Sequence, residues 1–155
     1  MKRWLGYLCA MAAVVGLSAN GSVGKDIGKL QPVQVVYLSC NGSEVLLQTD
    51  TGDWGQGNGV LNALQDMKAS SSAEVFLEMA DYLLLSPDCE DLLSEMMDLL
   101  RPSCALCLTD GQPDMGQVGV YLQSHSPRIT MNQYRAGQRQ LQMLVTQEGR
   151  MALVS

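Results

Sequence analysis

An α+β fold, a mixed sheet flanked by helices, is predicted for this chain of 155 residues, and three observations carry that expectation. Two runs rich in β-branched and apolar residues flank Asn41-Gly42. Helix-type and strand-type apolar patterns alternate through residues 59–111, and two more alternating runs flank Glu148-Gly149. The expected order is an N-terminal β-hairpin, a central αβαβ unit and a C-terminal β-hairpin. A chain of this length fits one domain and buries an adequate core without cross-links. Apolar residues at 46 % against 17 % charged ones describe a globular protein rather than a disordered one.

Residues 1–21 have the pattern of a signal peptide or N-terminal membrane anchor, which leaves residues 22–155 as the single domain. Lys2 and Arg3 precede the apolar residues 4–17, and Ser18-Ala19-Asn20-Gly21 follows. Fourteen residues fall short of the roughly 20 that span a bilayer. Cleavage at the small residues is therefore the first expectation and retention as an anchor the second. After a polar lead-in at residues 26–32, residues 33–38 (VQVVYL) and 44–49 (EVLLQT) pair as a hairpin, because Asn-Gly accepts the positive φ angles of a tight turn.

Residues 50–59 (DTGDWGQGNG) are expected to form a glycine-rich loop between a strand and a helix. The placement suits a phosphate loop, but the glycines match neither GxGxxG nor GxxxxGK[ST], no lysine is present, and Asp50 and Asp53 repel phosphate. Trp54 then either folds onto the core or stands exposed as a contact. Asn58 is the expected N-cap of a helix carrying Val60, Leu61, Leu64 and Met67 on one face, and Ser70-Ser71-Ser72 breaks it. Residues 75–79 are an irregular approach to a strand. Tyr82-Leu83-Leu84-Leu85 is the continuous apolar run of a strand covered on both faces.

A second helix starts with Ser86 as N-cap and Pro87 at the first position, with Asp88, Glu90 and Asp91 favourably placed at the positive end of its dipole. Cys89, Leu92, Leu93, Met96, Met97 and Leu100 form its apolar face, Glu95 and Asp98 lie on the solvated one, and Arg101-Pro102 ends it. Residues 103–109 (SCALCLT) are a buried strand. Residues 114–123 have helical spacing at Val118, Tyr121 and Leu122. Residues 128–134, 139–147 and 150–154 alternate as strands.

Candidate chemistry is sparse. Beyond the export segment stand Cys40, Cys89, Cys104 and Cys107; an even number permits two disulfides in three pairings, and buried free thiols are the default expectation. Cys104 and Cys107 make a CxxC, but residues three apart on a strand point to opposite faces. A redox CxxC normally opens a helix, and a zinc site needs about four ligands whereas His125 is the only histidine. No motif surrounds His125, which is expected to be a loop residue. No catalytic, cofactor or metal site is expected.

Loss of residues 1–21 takes the basic residues from ten to eight against sixteen acidic ones, a net charge of −8, which disfavours nucleic acid as a partner. The charge is uneven. Residues 26–114 hold Lys29, Lys68 and Arg101 against fifteen acids, and residues 115–155 hold Arg128, Arg135, Arg139 and Arg150 against Glu148. Such a basic end complements the acidic body or faces a partner or an anionic membrane surface. Asp53 and Trp54 in the glycine loop, with Arg128, Arg135 and Arg139 in the basic strands, are the candidate partner contacts.

Three stretches carry a family resemblance. GVLNALQDMK, with Gly59, Ala63, Leu64 and Met67, is similar to a helix of the G-x-x-x-x-E-A-L-x-x-L type, with Asn62 where an acid is usual. FLEMADYLLLSPDCEDLLSEMMDLLRP, at Phe76, Leu77, Tyr82 to Leu85, Leu92, Leu93, Leu99 and Arg101, looks like the strand and helix that follow. LQMLVTQEGRMALV, at Leu141, Val145, Glu148-Gly149-Arg150 and Leu153, resembles a closing hairpin. Together they resemble the N-terminal domain of the GerAC-like (Ger(x)C) C subunits of spore germinant receptors. The resemblance implies a truncated version without the usual lipobox, since Ala19-Asn20-Gly21-Ser22 stands where that family usually has Gly-Cys-Trp-Asp. The resemblance implies a non-enzymatic binding or assembly module of an endospore-forming Gram-positive bacterium. It also implies export to the cell envelope or the outer face of the spore inner membrane, with the receptor's membrane subunits as partners. The competing expectation is an envelope thiol-disulfide oxidoreductase using Cys104 and Cys107.

Overall fold

The computed structural model describes residues 30–147 and 149–155; the expected signal or anchor, residues 1–21, lies outside them. Strands β2 (Val35–Asn41) and β3 (Glu44–Thr49) form the expected hairpin, with Leu38 opposite Leu47 and Gly42 at φ 64 in the turn. The Asp50 carboxylate accepts from the backbone N–H of Gln34 and Val35 at 3.1 and 3.2 Å, which fixes where β2 begins. The expected lead-in is partly a strand. β1 (Leu30–Pro32) runs parallel to β5 (Glu74–Phe76) in a separate two-stranded ribbon, where every strand is an edge and Pro32 is tolerated.

The glycine-rich segment is not one loop. Trp54–Gly57 forms β4, antiparallel to β3, and helix α1 (Val60–Ser70) lies directly against it. Glycine is required by contact: a Cβ on Gly55 would lie 2.2 Å from the Ala63 carbonyl oxygen, and one on Gly57 would lie 2.6 Å from Cβ of Asn62. The helix also covers the free edge of β4. Asp66 Oδ2 accepts from the Gln56 N–H at 3.0 Å, and Ser70 Oγ donates to the Trp54 carbonyl at 3.4 Å. Gly59, not Asn58, is the N-cap, at φ 100, a backbone angle that side chains other than glycine rarely adopt.

A 3-10 turn at Leu77–Met79 leads into β6 (Tyr82–Leu85). The second helix is tighter than its sequence predicts. Pro87–Leu92 is 3-10, joined by i to i+3 bonds such as Cys89 N–H to the Ser86 carbonyl at 3.0 Å, and only Leu93–Met96 is α-helical, here α2. Ser86 does not cap the backbone with its side chain. Its Oγ lies 3.3 Å from Sγ of Cys89, which is disulfide-bonded and carries no proton, so the hydroxyl donates. Cys89, Leu93, Met96 and Leu100 are buried as expected, with Leu92 and Met97 packed at the margin.

After β7 (Ala105–Thr109) comes α3 (Met115–Ser124), capped by Asp114, whose carboxylate accepts from Gly116 and Gln117 N–H at 3.0 and 3.3 Å. Residues 128–134 are not a strand. A two-residue β8 (Ile129–Thr130) passes at once into α4 (Met131–Arg135), because Thr130 and Gln133 form a capping box that satisfies two backbone donors at the helix start. β9 (Gln142–Gln147) and β10 (Arg150–Val154) make the C-terminal hairpin.

The eight-stranded sheet has the order β10-β9-β7-β6-β2-β3-β4, with β8 against β7. β2, β6, β7 and β9 are parallel, and β3, β4 and β10 extend the sheet with antiparallel pairs. The fold is thus α+β around a mixed sheet. Along the parallel strands alternate residues serve two cores. Val36, Leu38, Leu83, Leu85 and Leu106 pack under α1, α2 and α4, while Val35, Tyr37, Leu84, Cys107 and Leu144 pack under α3. Both faces being covered explains why β6 and β7 are apolar throughout.

Candidate functional site

β7 changes partner partway along one edge. Ala105 and Leu106 pair antiparallel with β8, and Cys107, Leu108 and Thr109 pair parallel with β9. Where β8 and β9 part, the buried Gln142 side chain accepts from the Arg128 N–H at 2.9 Å. That bond supplies the acceptor that a strand neighbour would otherwise provide. A cleft of about 460 Å³ opens there, with Leu108, Ile129 and Leu141 among its lining and Glu90, Arg128 and Arg139 bringing charge.

The arginines are held differently. The Arg139 guanidinium lies over the Tyr134 ring, 4.0 Å from its centroid, an arrangement that orients the cation and leaves its N–H groups free to donate. The Tyr134 hydroxyl donates to Glu90 Oε1 at 3.4 Å, so Glu90, Tyr134 and Arg139 form one chain of contacts along the wall. Among the described residues neither Arg128 nor Arg139 has an ion-pair partner. Arg135 does not join them. It follows α4 back to the acidic helix, donating to the Met97 carbonyl and lying 3.7 Å from Asp98.

Asp53 and Trp54 stand on the other side of the molecule, at the β4 edge of the sheet. Asp53 is a turn residue: its carboxylate accepts from Thr51 Oγ1 at 2.9 Å and its carbonyl from Thr49 N–H at 2.9 Å. Trp54 is 54 % exposed, so of the two placements open to it the structure has the solvent-facing one. Five candidate contacts therefore fall in three places: Asp53 and Trp54 at the β4 edge, Arg135 beside Asp98, and Arg128 and Arg139 in the cleft. Glu90 and Tyr134 belong to that site and were not among the sequence candidates. The signal that could have found Tyr134 is Thr130-x-x-Gln133, which turns the following residues into a helix and carries the ring toward Glu90.

The cysteines divide into two pairs. Cys40, at the end of β2, is bonded to Cys89 in the first turn after β6, with Cα atoms 5.7 Å apart. This corrects the expectation of free thiols for those two, and the cause is topological: β2 and β6 are parallel neighbours, so the end of one meets the turn after the other. Cys104 and Cys107 are free and buried. Cys104 packs in the core beneath α1, α2 and α4, and Cys107 in the core beneath α3, as a strand alternation requires. Burial pushes both thiols from 9.0 up to about 12; the Arg101 charge opposes this at Cys104, and the neighbouring Cys104 adds to it at Cys107. Arg101 itself pairs with Asp81.

His125 is exposed at the end of α3 and stacks on Tyr121 with centroids 4.5 Å apart. Among the described residues no cluster of three or more His, Cys, Asp or Glu side chains is placed to hold a metal ion, and no helix is long and apolar enough to cross a membrane. No family model, curated protein or solved structure matches the chain.

Proposed function

We propose that the protein is an exported, membrane-associated, non-enzymatic binding and assembly module, like the first domain of a germinant-receptor C subunit, acting at the outer face of the cell envelope or spore inner membrane. The observation that carries this is the cleft between β8 and β9, where Arg128 and Arg139 present charge without ion-pair partners among the described residues, on a protein of net charge −6. Uncommitted cations beside apolar surface suit recognition of an anionic group on a partner. The Cys40–Cys89 disulfide supports export, since such bonds persist in oxidising compartments. The burial of Cys104 and Cys107 in separate cores weighs against thiol exchange between them, because the attacking thiolate needs both a lowered pKa and access.

Photo-cross-linking amino acids at positions 128 and 139, used in cells with the membrane fraction isolated, test the reading. A discrete adduct with a membrane subunit is expected from both sites, and none from position 42 at the tip of the β2–β3 hairpin. Absence of adducts from 128 and 139 would sink the proposal. Deleting residues 4–17 is expected to move the protein out of the membrane fraction; an unchanged fraction counts against that run as the anchor.

A further inference from the structure

We infer that Asn41 is a site of covalent modification: its side-chain amide is lost through a cyclic imide formed with the backbone nitrogen of Gly42, with water as the co-reactant. The site is separate from the β8–β9 cleft and does not depend on it.

The fold puts both reacting groups at the tip of the β2–β3 hairpin. Asn41 pairs with Glu44 in the last rung, so Gly42 and Ser43 form the two-residue turn. All four residues are exposed, and no hydrogen bond engages the Asn41 side chain among the described residues. Gly42 has no Cβ to stand between its nitrogen and Cγ of Asn41, and no atom lies within 4 Å of where one would be. In the step itself the Gly42 nitrogen gives its proton to hydroxide and bonds to Cγ, and the Cγ–Nδ2 bond breaks to release ammonia. Water then opens the imide at either carbonyl. One product is aspartate, and the other is isoaspartate, with the chain routed through the side-chain carbonyl. Ring closure turns Asn41 out of its extended strand conformation, so the last rung must open first. That opening is local, because none of the four side chains is buried, and such tips open at low free energy.

The chain carries its own comparison. Asn58-Gly59 is the other Asn-Gly pair among the described residues, and Asn58 is also exposed. There the backbone is held on both sides: the Asn58 carbonyl accepts from Asn62 Nδ2 at 2.9 Å, and the Gly59 carbonyl accepts from the Ala63 N–H at 3.1 Å. Turning Asn58 therefore disturbs the start of α1. A carboxylate at position 41 faces Glu44 directly across the rung, a repulsive pair. Modification thus loosens the tip, while the Cys40–Cys89 bond holds the adjoining rung.

Ageing the full-length, disulfide-bonded protein at mildly alkaline pH tests this, with the urea-unfolded chain aged alongside and both digested for electron-transfer mass spectrometry. Aspartate and isoaspartate are expected at position 41 in the folded protein. Conversion there is expected to be roughly fivefold or more faster than at Asn58, the factor that one further broken hydrogen bond imposes. In urea the two sites are expected to convert at similar rates. Three results overturn the inference: Asn41 intact in the folded protein while the unfolded chain is half converted, conversion at Asn58 as fast as at Asn41, or aspartate without isoaspartate. Asn41→Asp is expected to speed amide hydrogen exchange at residues 42–45, and rates equal to those of the wild type overturn the loosening of the tip.

Discussion

Gly55 and Gly42 are glycines for different reasons, and each responds to alanine in its own way. A methyl group at Gly55 meets the Ala63 carbonyl oxygen at 2.2 Å and Met67 N at 2.3 Å, so Gly55→Ala pushes α1 off β4. Urea denaturation is expected to show a loss of about 1–3 kcal/mol, the usual range for overpacking. Gly42 has open space around it but sits at φ 64, and alanine there is expected to lose about 1 kcal/mol through backbone strain alone. The buried thiols make a second residue-level prediction. With Cys104 and Cys107 raised from 9.0 to about 12, the folded state keeps its protons over a range where the unfolded chain releases them. Stability from this source is full below pH 9 and declines as pH rises from there toward 12. The urea midpoint is therefore expected to fall between pH 8 and 10.5, less steeply in Cys107→Ala, and iodoacetamide is expected to label both thiols slowly until denaturant is added. The opposition of Cys104 and Cys107 is legible in the sequence because strand alternation alone decides it. The role of Gly55 is not, since glycine letters record neither a backbone angle nor a neighbouring helix.

Elements fared according to how local their causes are. The β2–β3 hairpin rests on Asn41-Gly42, the buried β6 on its own apolar run, and α3 on Asp114 and helical spacing, and each is where the sequence places it. Residues 128–134 carried two signals in conflict. Apolar alternation at Ile129 and Met131 favours a strand, whereas Thr130 and Gln133 favour a helix start, and the capping box won. The Cys40–Cys89 link was illegible because it depends on β2 and β6 being neighbours, a fact of topology. It ties residues 49 apart in sequence, for which the chain-entropy relation gives about 4 kcal/mol. Cys40→Ala/Cys89→Ala is expected to lose a comparable amount in urea melts. A dithiothreitol-treated wild type should fall to the same midpoint, and a double variant as stable as the oxidised protein would mean that the bond does not limit the unfolded chain.

At the scale of the molecule, stability is concentrated in the middle of the sheet. Leu83, Leu84 and Leu85 are fully buried in β6, between two parallel neighbours and under two helical layers, whereas β10 has one strand partner and exposes Val154. Hydrogen exchange is accordingly expected to be slowest in β6 and β7 and fastest in β10 and in the β1–β5 ribbon, with opening of the C-terminal hairpin independent of the centre. Uniformly slow exchange across all strands would contradict this gradient. The sheet's two ends also differ in kind. At β4 the helix supplies Asp66 and Ser70 to the outward backbone groups, while the outer side of β10 pairs with nothing among the described residues. A strand that joins this sheet must therefore join at one end only. Two copies meeting β10 to β10 present a covered β4 on either flank, so assembly by strand addition counts to two and stops, and a filament of such sheets has no second end from which to grow.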